Sequence, residues 1–154
     1  MSCDDVRPGD RLPRETAGGE PDGQAWWEGT AVVRAPIWLE HPQKHDYPAA
    51  LDYLTLHADI RTARRIVDAL GEAEPATRKA KDVIRASGLP VLDDTNRHVA
   101  RNLAKIASGE PLSPILLVAA TPHLIIADGY HRASAVYHLD EDAEVPCRLV
   151  AWPT

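Results

Sequence analysis

The chain has 154 residues, 44% hydrophobic and 26% charged, which suits one globular domain with a sizeable core. A formal net charge of −6 argues against general nucleic-acid binding, which is driven by phosphate neutralisation, and no long apolar run or signal-peptide core points to a membrane or to secretion. Cys3 and Cys147 lie in unlike settings, one polar and one strand-like, so the expectation is a reduced, cytoplasmic chain without a disulfide framework.

Residues 1–24 are rich in Asp, Glu, Arg, Gly and Pro, with almost no apolar periodicity, and are expected to form a flexible tail ahead of a single domain over 25–154. Trp26 and Trp27 mark the change. A strand-like run follows from Thr30 to Leu39, where Pro36 implies an edge position or a bulge. In the next loop His41, His45 and Asp46 have metal-ligand chemistry, but Pro42 breaks the helical spacing that would bring the histidines together.

Helical spacing dominates the middle of the chain. Pro48 in a first turn, with Leu51, Leu54 and Ala58, predicts one helix; Asp59 caps a second that turns Ala63, Ile66, Val67 and Leu70 inward and stops at Gly71. A third is expected from about Pro75, carrying Ala80, Val83, Ile84 and Ser87 to Gly88. Arg61, Arg64, Arg65, Arg78, Lys79 and Lys81 read either as contacts for an acidic partner or nucleic acid, or as a solvated face shared with Asp59, Asp68, Glu72, Glu74 and Asp82. A fourth helix is predicted from Thr95 to Ser108, capped by Thr95, with Val99, Leu103 and Ile106 inward and Gly109 as its stop.

The last third is the most patterned. Ile115–Ala119 and Leu124–Ala127 read as apolar strands, and the chain then turns through Gly129 into a helix with Ala133, Val136 and Leu139 on one face. A helix start presents unpartnered amides and partial positive charge. His131 and Arg132 add basic side chains where the dipole disfavours them, so the turn reads as an anion site. The alternative is structural: Asp128 as the N-cap, with Arg132 paired to an acid within 140–144. His138, two turns beyond His131, is about 10 Å away by helical rise and cannot share a ligand with it.

The segments PLSPILLV, LIIADGYHRASA and EVPCRLV resemble the ParB/sulfiredoxin-like family, whose pattern is a strand after a proline, a second strand, a Gly-x-[His/Arg]-Arg turn, a helix and a closing Val-Pro strand. The resemblance implies an α+β fold with a small mixed sheet, flanking helices and a helical elaboration at about 47–88, packed on one side of the sheet. It also implies nucleotide binding, ATP or CTP with Mg²⁺. By position, His131 and Arg132 become phosphate contacts and Gly129 permits close backbone approach, with Tyr130 and Ser134 beside them in the same turn. Ser113, in the proline loop, is a candidate hydroxyl contact or an ordinary turn residue. Glu40 and Asp128 are candidate catalytic carboxylates, Asp128 also as a metal ligand.

Two departures narrow this expectation. The position of the reactive cysteine of sulfiredoxins is Tyr130 here, and only four residues follow Val150, so neither a sulfiredoxin nor a complete partition protein is expected. No covalent nucleophile is evident, because Ser134 three residues from His131 does not by itself make an activated serine. Hydrolysis of a nucleoside triphosphate or phosphoryl transfer to a small acceptor needs chiefly orientation and charge neutralisation, which these residues offer. The alternative is a non-enzymatic nucleotide-sensing module acting on a protein or DNA partner. Replacing Arg132 by Ala is expected to weaken nucleotide binding and leave the fold intact.

Overall fold

The structure is a computed structural model that describes residues 34–154. The expected tail, Cys3, Trp26, Trp27 and the first residues of the run from Thr30 lie outside them. The described elements run α1 (Asp46–Leu54), α2 (Ile60–Glu72), β1 (Ala76–Lys79), α3 (Ala80–Ser87), α4 (Arg97–Ser108), β2 (Ile115–Ala119), β3 (Ile125–Asp128), α5 (Tyr130–Leu139) and β4 (Glu144–Ala151). The fold is α+β, with an open mixed sheet ordered β1-β4-β2-β3. β4 runs parallel to β2, from Ile115 opposite Cys147 to Ala119 opposite Ala151; β1 and β3 join antiparallel at the two edges.

The centre of the sheet follows from composition. Ile115, Leu116, Leu117 and Val118 are all buried, as expected of an apolar strand covered on both faces. Successive side chains of a strand point to opposite faces. Ile115 and Leu117 pack with α3, α4 and α5 through Val83, Ile84, Ile106, Ala133 and Val136, whereas Leu116 and Val118 pack with α1 and α2 through Ala50, Leu54, Ala63, Ile66 and Leu70. Burial of each such side chain contributes about 1.5–3 kcal/mol.

Helix boundaries follow local chemistry. Asp59 caps α2, its carboxylate accepting from the Thr62 amide at 2.8 Å, and α2 continues through Gly71 to Glu72. The cap of α4 is Asn96 rather than Thr95; its side chain accepts from the His98 and Val99 amides, and Gly109 ends the helix. α5 buries Ala133, Ser134, Ala135 and Val136 and leaves Leu139 exposed.

Three expectations are corrected. Residues 76–79, expected as the start of a helix, form edge strand β1 because β4 offers them a free side. The elaboration is not confined to one side: α1 and α2 cover one face, α3 the other, and β1 extends the sheet. Within the described part of the run to Leu39, only Trp38 bridges, in parallel with Leu112; Pro36 has no N–H to extend that pairing.

Candidate functional site

Helix α5 opens directly from the end of β3. Gly129 is its N-cap with φ 112° and ψ 15°, and no side chain caps the helix. A Cβ at this position would lie 2.3 Å from Ile115 Cγ2 and 2.7 Å from Ile115 Cβ, so β3 passes into α5 in close contact with β2 only because the residue is glycine. The Gly129 carbonyl accepts the first helical bond, from Ala133, at 2.9 Å. The amides of Tyr130, His131 and Arg132 are left without an intrahelical partner.

Helix α4 supplies a second wall. His98, Arg101, Asn102 and Lys105 stand at i, i+3, i+4 and i+7, one face of a helix. With Asp128, Gly129, His131 and Arg132 they line a cleft of about 210 Å³. Among the described residues neither Arg101 nor Lys105 pairs with a carboxylate.

Arg132 and Asp128 form the floor. Arg132 Nη2 donates to Asp128 Oδ2 at 2.8 Å and lies 3.4 Å from the Pro114 carbonyl oxygen, while Arg132 Nε is buried with no partner among the described residues. The two side chains are 17% and 18% exposed, so this is a largely desolvated pair. Burial raises the proton affinity of the Asp128 carboxyl; the Arg132 guanidinium opposes this, and the neighbouring carboxyl of Asp46 adds to it. Asp46 is buried at the start of α1, where Oδ2 accepts from the Ser113 hydroxyl and from the Gln43 amide, the latter at 2.9 Å. The imidazoles of His98 and His131 approach across the cleft with centroids 4.9 Å apart. Burial, then His98 and Arg132, hold His131 below the ordinary histidine range.

Of the residues singled out from sequence, Asp128, Gly129, His131 and Arg132 meet in the cleft. The others do not line it. The Tyr130 hydroxyl donates to the Pro90 carbonyl at 2.6 Å, and buried Ser134 accepts from the Leu92 amide at 3.1 Å. Ser113 is buried against Asp46, behind the cleft. Glu40 has a side chain 87% exposed to solvent, and its backbone carbonyl accepts from buried Arg148 at 3.2 Å. The two structural alternatives for the turn are also absent: Gly129 is the cap, and Arg132 pairs with Asp128 rather than with the 140–144 acids. Because Arg132 is desolvated and paired, its removal is not the neutral surface change expected from sequence.

The α4 wall was not singled out, and Asp46 was weighed only with His41 and His45 as metal-ligand chemistry, not as a neighbour of the turn. The polar stripe 98, 101, 102, 105 is readable in the sequence as the complement of Val99, Leu103 and Ile106, but its partner α5 is not adjacent in the chain. At the other end of β3 an open depression of about 490 Å³ is lined by Ala119, Ala120, Thr121, Ile125, Trp152 and neighbours; among the described residues His57 is its one titratable side chain, so they offer it little charge. Comparison with protein-family models, with curated proteins and with solved structures gave no match.

Proposed function

We propose that this chain binds the phosphates of a nucleotide, ATP or CTP, in the cleft between α4 and the start of α5. The observation that carries the reading is the convergence of Arg101, Lys105, Arg132 and two histidines on a helix start with unpartnered amides. Like charges gathered from two helices repel each other, and a polyanion relieves that cost. The order of β2, β3, the basic turn, α5 and β4 supports reading the fold as ParB/sulfiredoxin-like, since this is the order in that family's pattern.

Among the described residues Asp128 is the carboxylate that lines the cleft, and its raised proton affinity suits a proton acceptor for water or an acceptor hydroxyl. Phosphoryl transfer would then rest on positioning by the amides and neutralisation by the basic side chains. Nucleotide sensing without turnover is the second reading, favoured by the 2.8 Å engagement of Asp128 with Arg132, which occupies the base. Asp128, the candidate metal ligand, is engaged by Arg132, and Asp46 by Ser113 and Gln43, so a Mg²⁺ in this reading would arrive with the nucleotide, held chiefly by its phosphates. The phosphates are met by the chain's own cations.

Calorimetric titration with ATP, CTP, GTP and their diphosphates, with and without Mg²⁺, tests the reading on the parent and on Arg101→Ala. Arg101 is exposed, so its removal spares the fold. One lost charge-assisted hydrogen bond is worth about 1.5–3 kcal/mol, or roughly 10- to 150-fold in affinity. Binding by no nucleotide, or equal binding by the variant, would overturn the assignment. Phosphate release then separates enzyme from sensor.

A further inference from the structure

The cleft holds two kinds of positive group. Arg101, Lys105 and Arg132 carry cationic side chains, whereas His98 and His131 bring imidazole, the side chain that can act as a proton switch. Among the described residues, the groups around the imidazole pair are Arg101, Asn102 and Lys105 from α4, Asp128 from β3, and Tyr130 and Arg132 from α5. Asp128 is the one anion among them, and its carboxylate is already engaged by Arg132 at 2.8 Å. A proton on either of two imidazoles 4.9 Å apart meets repulsion from the neighbouring cations, and at His131 burial, then His98 and Arg132, lower the proton affinity.

We propose that the His98–His131 pair takes up one proton as the cleft fills, and that this makes the site select dianionic phosphate groups over singly charged phosphodiesters. The proposal rests on the phosphate-binding reading above and names its ligand class: terminal phosphates of nucleotides and phosphomonoesters. A neutral imidazole offers one N–H, an imidazolium two, so the incoming proton adds both a charge and a donor. It comes from solvent onto a ring nitrogen, and no bond to the ligand is made or broken. Opposite charge beside an imidazole favours its charged form, and a dianion supplies twice the Coulomb energy of a monoanion at the same distance. The singly charged diester leaves the pair neutral and gains neither.

The sign of the linkage is set by this uptake. Affinity rises as pH falls, by up to about tenfold per pH unit for one proton. Between pH 7.5 and 8.5 a phosphomonoester, with a second pKa of about 6, is already dianionic and adds no slope of its own. The test is calorimetry of the full chain with ATP in two buffers of different ionisation enthalpy, at pH 7.5 and 8.5, followed by displacement of ATP with AMP or with cyclic 3′,5′-AMP. The expected result is uptake of about one proton, an affinity about tenfold weaker at pH 8.5, and AMP displacing ATP at least tenfold better than its cyclic diester. His98→Asn and His131→Asn, with folding checked by circular dichroism, are expected to lose the uptake and narrow the AMP preference. ATP binding with neither buffer-dependent heat nor pH slope would overturn the proton-linked selection and leave the phosphate site standing. Absence of ATP binding in the parent would overturn both.

Discussion

The passage from β3 into α5 is the tightest point of the site, and Gly129→Ala measures how much depends on it. Alanine there meets two separate costs. A φ of 112° is unfavourable for any residue with a Cβ, by about 1–2 kcal/mol. The added methyl would also sit 2.3 Å from Ile115 Cγ2, and Ile115 is fully buried, so it cannot swing away; overpacking of this kind costs about 1–3 kcal/mol. The sum, roughly 2–5 kcal/mol, is a large part of the 5–15 kcal/mol typical of a domain, and corresponds to about 8–20 °C in Tm. Urea unfolding followed by circular dichroism reads it directly. Gly71→Ala is the control: nothing lies within 4 Å of its added Cβ and the site is inside α2, so a gain of about 0.5–1 kcal/mol is expected. Ile115→Ala combined with Gly129→Ala should recover the steric share and leave the backbone share. A Gly129→Ala protein within 0.5 kcal/mol of the parent would refute the close approach of α5 to β2.

Other predictions concern what surrounds the cleft. Tyr130, Ser134 and His138 form a stripe along α5 that holds the 90–92 segment, through the Pro90 carbonyl, the Leu92 amide and the Leu92 carbonyl. Tyr130→Phe should cost about 1 kcal/mol and Ser134→Ala about 1–3 kcal/mol, with faster hydrogen exchange at Leu92 in the second; unchanged exchange would mean that this bond does not order the segment. For Asp128, a carboxyl NMR titration is expected to give a folded pKa above 3.8. A raised folded value places its stabilising contribution below pH 3.8 and removes it as pH climbs through the folded value, so Asp128→Asn should flatten that part of the stability profile. Arg132→Ala should destabilise by about 1.5–3 kcal/mol and move the Asp128 titration further up, because the guanidinium is what holds it down; a downward move would contradict the pairing.

What the sequence revealed and what it hid divide along a physical line. Ile115–Ala119, the Asp59 cap, the inward face Ala63, Ile66 and Leu70, and the closing strand from Glu144 were legible because each is written in adjacent residues: an apolar run, a capping side chain, a helical period. The pairing of Ala76–Lys79 was not, since those residues are mostly exposed and carry no alternation; their conformation is imposed by β4, some seventy positions away. Half of the site had the same fate. The Gly129-His131-Arg132 turn announces itself locally, but Arg101 and Lys105 matter only because α4 packs beside α5, and Asp46 is withdrawn from water by Ser113, 67 positions along the chain. Tyr130 and Ser134 erred the opposite way. Proximity to the turn suggested a ligand, and helical geometry instead aimed their hydroxyls at 90–92.

β2 sends Ile115 and Leu117 into one apolar layer and Leu116 and Val118 into the other, and it carries hydrogen bonds to β3 and β4 along both edges. Neither layer can loosen without uncovering this strand. The two apolar layers are therefore expected to melt as one cooperative unit, with the amides of Leu116, Leu117 and Val118 exchanging only when both layers open together. Those amides would report global stability. Because Ile115 also touches the start of α5, a ligand that holds the cleft should slow their exchange at a distance, by the same factor as it stabilises the entire fold.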